Sequence, residues 1–138
     1  MSAKTAAILE EAADVIRRNG WHQGDYYDPY TYGDLNRPDH PNPRSCPVCL
    51  LGAIAVAAGA DPENWVETSQ SRDAVLAVGR RLGIDLEPGG VPLDLQDNRD
   101  IEHMACEVGG WNDTDAREAE DVIAVLEAAA KAEREAGS

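Results

Sequence analysis

Phenylalanine is absent from this chain, and three tryptophans with four tyrosines supply all of its aromatic area. A core built without Phe falls back on aliphatic side chains, and much of the 43% hydrophobic content is alanine. Alanine favours helix but contributes little buried area, so closely packed helices with thin layers between them are expected. Basic residues are scarce as well. Twelve Lys and Arg stand against 26 Asp and Glu, a net charge of −14 over 138 residues. That balance repels nucleic-acid phosphates and anionic lipid, which argues against direct nucleic-acid binding and against a membrane surface. No apolar run reaches transmembrane length, and the amino terminus reads as a charged amphipathic helix instead of a signal peptide. Cysteine is limited to Cys46, Cys49 and Cys106, an odd number that no disulfide framework can use in full. The expected compartment is the reducing cytoplasm.

What is present reads as helices separated by punctuation. A chain of this length has a single domain as its prior, 1–138, burying roughly two-thirds of its unfolded surface. The expected fold class is mainly α: a compact orthogonal bundle of about five helices. The spacing of Ile8, Ala12, Val15 and Ile16 predicts a first helix from about Ala3 to Arg18, stopped by Gly20 in a left-handed conformation. Residues 22–45 hold all four tyrosines and a run of prolines, and predict a small hairpin or an ordered loop. A second helix, apolar almost all round, is expected from Pro47 to Ala58, and Asp61 to Trp65 reads as a cap with one helical turn. Further helices are expected from Ser71 to Leu82 and from Arg99 to Val108, the latter broken by Gly109-Gly110. Asp113 or Thr114 would then cap a last helix carrying Ala119, Val122, Ile123, Leu126 and Ala129 inward, with 136–138 as a frayed tail.

The sharpest chemical spacing is Cys46-Pro47-Val48-Cys49 together with His103-Met104-Ala105-Cys106. Two residues between sulfurs is zinc-knuckle spacing, and a His and a Cys three apart on a helix share a face. Against zinc, Cys49 opens a buried apolar helix and lacks the glycine-rich knuckle that usually follows such ligands. The preferred reading has no cofactor, with Cys49 in the core and His103 and Cys106 facing outward. A second candidate chemistry makes Cys49 a nucleophile at a helix start, with Gln23 as an oxyanion donor and His103 or His40 as base. The bland alternative, a core cysteine, is the more economical account.

Three short elements belong together: Trp21-His22-Gln23-Gly24, Cys49-Leu50-Leu51-Gly52-Ala53-Ile54 and Trp111-Asn112-Asp113. Each has a structural account: Trp21 staples the first helix end, Gly52 and Ala53 let another helix approach closely, and Asn112-Asp113 caps the last helix. In this order, before a terminal alanine-rich helix, they resemble a family of small uncharacterised proteins from actinobacteria and their phages. That family is marked by Trp-x-Gln-Gly, Cys-x-x-Gly-Ala-Ile/Leu and Trp-Asn-Asp. The resemblance implies a compact, mainly helical domain of unknown function. It carries over to Trp21, Gln23, Gly24, Cys49, Gly52, Ala53, Trp111, Asn112 and Asp113, and leaves Cys46, His103 and Cys106 outside the pattern. Gln23, Cys49, Asn112 and Asp113 are expected either to converge on a pocket floored by Trp21 and Trp111 or to satisfy buried backbone groups.

The leading functional expectation is a non-enzymatic, acidic protein-binding or regulatory protein. Residues 94–121 hold ten acidic and two basic side chains, −8 of the total −14, and suit a partner with a basic surface. Tyr26, Tyr27, Tyr30 and Tyr32 supply large contact area at low entropic cost. Two alternatives stand beside it: a small cysteine-dependent hydrolase using Cys49, and a DNA mimic that blocks a nucleic-acid-binding protein.

Overall fold

Alanine thinness sets the architecture. In the computed structural model, which describes residues 2–26 and 43–137, five α-helices are found and no strand among those residues. They are α1 (Ser2–Asn19), α2 (Leu50–Ala57), α3 (Ser69–Leu82), α4 (Asn98–Gly110) and α5 (Ala119–Gly137). The two longest, α1 and α5, pack most extensively on each other, and α1 also contacts α2 and α3. Ala6, Ala12 and Ala13 on α1 and Ala129 and Ala130 on α5 are buried, the small layer expected to let the axes approach. Larger groups fill the remaining space: Leu9, Val15 and Ile16 on α1, Val122, Ile123 and Leu126 on α5, and Val75 and Val78 on α3. On α1 the apolar stripe is centred on Leu9, and Ile8 is only half-buried.

The helix ends differ from the sequence-based expectations in instructive ways. Gly20 does stop α1, at φ +99°, and its N–H still reaches the Ile16 carbonyl at 2.9 Å. The second helix starts at Leu50, three residues after Pro47, with Cys49 as its cap. Pro47 is excluded from the helix because Val48 is engaged elsewhere, as the parallel bridge partner of Trp21. His22 N–H donates to the Val48 carbonyl at 2.9 Å and Val48 N–H donates to the Gly20 carbonyl at 3.1 Å. For 22–45 a hairpin or an ordered loop was expected: the bridge flanks this stretch, its described residues hold no strand, and the remainder, with Tyr27, Tyr30, Tyr32 and His40, lies outside the described residues. The Asp61–Trp65 stretch is a reverse turn, not a helical one, with Asn64 N–H on the Asp61 carbonyl at 2.9 Å, and it buries Trp65 to 1% exposure.

Gly109-Gly110 does not break α4. The helix runs through both and passes directly into a π turn, Trp111–Asp115, closed by Ala116 N–H on the Trp111 carbonyl at 2.9 Å. Glycine inside a helix costs about 1 kcal/mol relative to alanine, a penalty that tertiary hydrogen bonds of the π turn offset. Asp113 and Thr114 therefore sit inside that turn and do not cap α5. Asp121 does, its Oδ2 accepting from Arg117 N–H at 2.8 Å and Glu118 N–H at 3.2 Å. Across the surface, Arg17 bridges Asp14 and Glu127 at 2.8 Å each, Arg80 meets Glu133 at 3.1 Å, and Arg134 pairs with Glu10. These exposed pairs fix helix register more than stability. Among the described residues no helix is long and apolar enough to cross a membrane.

Candidate functional site

The π turn exists to deliver one side chain inward. Asn112 is fully buried, at 0% exposure. Its Oδ1 accepts from the Trp21 indole N–H at 2.8 Å and from Leu50 N–H at 3.1 Å. Its Nδ2 donates to the His22 carbonyl at 3.2 Å and to Asp113 Oδ1 at 2.9 Å. Two acceptances and two donations exhaust what an amide side chain offers. Asn112 thus ties α4 to the chain leaving α1 and to the first turn of α2, across 91 residues of sequence in the Trp21 contact.

Gln23 works on the other side of the same turn. Its Nε2 donates to the carbonyls of Asn112 at 3.0 Å, Asp113 at 3.2 Å and Ala116 at 3.2 Å. These are carbonyls that a π turn leaves short of partners. Gly24 N–H completes the contact by donating to Asp113 Oδ1 at 2.9 Å. The expected oxyanion role of Gln23 has no spare donor, since both amide hydrogens are committed to these three carbonyls.

Cys49 caps α2 with its sulfur, Sγ accepting from Gly52 N–H at 3.3 Å, while its own N–H donates to the Tyr26 carbonyl at 3.1 Å. The side chain is buried, and desolvation pushes the thiol up to about 11, aided by the negative charge of Asp113 and opposed by the Gly52 and Leu51 backbone N–H groups. The helix-start field that would lower a thiol pKa is outweighed by burial. Gly52 is required by the same carbonyl: a Cβ there would lie 2.4 Å from Tyr26 O. What approaches α2 at Gly52 is therefore a loop carbonyl, not the neighbouring helix that the motif suggested, whereas Ala53 is fully buried in the core.

Beside this clasp lies a cavity of about 290 Å³ between the 24–26 turn, the start of α2 and the last turns of α4. Cys49 and Leu51 form its buried floor, where the two tryptophans were expected, and Asp25, Asp113 and Cys106 are its exposed rim. Trp21 is committed to Asn112, and Trp111 faces a separate depression with Leu82 and Ile84. Of the zinc candidates, Cys49 and Cys106 share the cavity; Cys46 is buried and His103 exposed, and neither lines it. Among the described residues no three His, Cys, Asp or Glu side chains are grouped to hold a metal ion. Of the tyrosines, Tyr26 is half-buried on the cavity wall. Sequence reasoning missed Asp25, Leu51, Ala105 and the two glycines of α4 as lining residues; reading Gly109-Gly110 as a break concealed that they present bare backbone to a cavity.

The sequence motifs thus meet in space, and their chemistry is that of mutual satisfaction: a helical domain closed by an Asn-centred clasp. Residues 1–132 match the model of a family of unknown function (DUF6197), and the chain belongs to that family. No curated protein and no solved structure matches it.

Proposed function

We propose that this chain is a non-enzymatic binding or regulatory protein whose acidic face engages a partner with a basic surface. The observation that carries the reading is the acidic stretch 94–121. Of its ten acidic positions all but Asp100 and Asp121 are exposed, eight in number: Asp94, Asp97, Glu102, Glu107, Asp113, Asp115, Glu118 and Glu120. None of the ion pairs found among the described residues uses a carboxylate of this stretch; they join Arg17, Arg18, Arg44, Arg80 and Arg134 to acids elsewhere. Several of its carboxylates are instead held by backbone N–H groups, Asp100 by Asp94 at 2.7 Å and Asp97 by Arg99 at 2.9 Å. Fixed, uncompensated negative charge steers a positively charged partner and discriminates against a negative one.

A thiol hydrolase is the weaker reading. Cys49 keeps its proton near neutral pH, Gln23 has no donor left, and His103 is exposed on α4 away from the cavity lining. The test is retention of host-lysate proteins on the immobilised chain, compared with a Glu102→Lys/Glu107→Lys variant. A specific partner that elutes with rising salt and is lost with the double reversal is expected. Retention insensitive to both salt and charge reversal would reject the reading.

A further inference from the structure

The cavity beside the clasp has an electrical sign. Its rim carries two carboxylates, Asp25 and Asp113, and among the described residues no basic side chain lines it. The start of α2 would ordinarily attract an anion, but its N–H groups are spent internally, Leu50 on Asn112 Oδ1 and Gly52 on Cys49 Sγ. The other helix end present is the last turn of α4 at Gly109 and Gly110, where the helix dipole is negative. Both carboxylates are also preorganised. Asp113 Oδ1 is held by Gly24 N–H and Asn112 Nδ2, and Asp25 Oδ1 by Tyr26 N–H at 2.8 Å. The second oxygen of each accepts no hydrogen bond among the described residues. Below them the floor is apolar, formed by Leu51 and a neutral thiol.

We propose that this cavity binds the cationic end of a short aliphatic chain, taken as a Lys or Arg side chain presented by the basic partner inferred above. The inference rests on that reading for the source of the cation, and on the cavity alone for its chemistry. Stem and head are matched separately: methylenes against Leu51 and the glycine backbone, the ammonium or guanidinium between Asp25 and Asp113. A volume of about 290 Å³ lies at the foot of the range for small-molecule sites, roughly 300–1,000 Å³, and suits one side chain better than a cofactor.

The test is an amide-resolved NMR titration of the full ¹⁵N-labelled chain with Nα-acetyl-lysine amide. Nα-acetyl-norleucine amide serves as the uncharged near-isostere and n-butylamine as a free amine. Saturable shifts at Gly24, Leu51, Gly109 and Gly110 are expected with the lysine compound and not with norleucine. Asp25→Asn, whose only described bond is to its neighbour's N–H, should weaken binding several-fold. Gly109→Leu should abolish it, because a Cβ there lies 3.9 Å from Leu51 Cδ1 and the added side chain grows into the cavity. Circular dichroism confirms that each variant is folded; if Gly109→Leu is not, Asp25→Asn decides. No saturable shift, equal shifts with norleucine, or full affinity in the folded variants would overturn the site. Partner retention in wild type without any lysine shift defeats the cavity alone. Lysine and butylamine binding equally, with no salt-dependent partner, defeats the side-chain source and the partner reading while leaving a cation site.

Discussion

Replacing Asn112 by alanine tests the clasp at its centre. The substitution strands three groups: Leu50 N–H, the Trp21 indole N–H and the His22 carbonyl. Leu50 is at 0% exposure, so its N–H bears the whole cost of an unsatisfied buried donor, about 1–3 kcal/mol. Trp21 and His22 are half-buried and recover part of their loss from water. With the smaller void left by the amide, the expected destabilisation is about 3–4 kcal/mol, a large share of the roughly 5–15 kcal/mol that holds a domain. Urea unfolding followed by far-ultraviolet circular dichroism measures it. A double-mutant cycle with Trp21→Phe, which removes only the indole N–H donor, should return a coupling of about 1 kcal/mol or more. A loss below about 1 kcal/mol for Asn112→Ala, with no coupling to Trp21, would refute the assignment of Asn112 as the tie between α4, α2 and the exit of α1.

Gly52→Ala should destabilise by about 1–3 kcal/mol through the clash with the Tyr26 carbonyl, and an unchanged urea midpoint would show that this carbonyl moves aside freely. Cys49 should resist iodoacetamide at neutral pH in the folded protein while exposed Cys106 reacts, since a thiol near 11 leaves only about one thiolate in 10⁴ at pH 7; faster labelling of Cys49 would reverse that. The same shift has a pH signature. Because the folded thiol keeps its proton to about 11 and the unfolded one only to 9.0, its contribution is full below pH 9 and is lost as pH rises through 11, so Cys49→Ala should flatten the alkaline fall in stability by about 2–3 kcal/mol. Chelation by EDTA should leave the melting temperature unchanged, as should Cys106→Ser; one zinc per chain lost in that variant would sink this expectation.

The number of helices, their inward stripes and most of their stops follow from local rules that sequence carries openly. A glycine after Arg17-Arg18-Asn19 or Arg80-Arg81-Leu82 ends a helix because only glycine takes a positive φ without strain, and both Gly20 and Gly83 do so. The apolar spacing of Val122, Ile123, Leu126 and Ala129 determined which face of α5 turns inward, because a 3.6-residue period is a property of the chain alone. The membership of Trp21, Gln23, Cys49, Gly52 and Asn112 in one constellation was also legible. What that constellation does was not. Hydrogen bonds such as Asn112 to Trp21 and Gln23 to Ala116 span 91 and 93 residues, and nothing in local spacing encodes which donor meets which acceptor. Those contacts carry α4 through two glycines into a π turn, move the start of α5 to Ala119, and make Cys49 a cap instead of a first-turn residue. They also help set the sign of the cavity, since the Leu50 N–H at the start of α2 is taken up by Asn112, 62 residues further along the chain. Local propensity chose the helices; long-range polar satisfaction chose their ends, because a buried donor left without an acceptor costs more than a glycine in a helix.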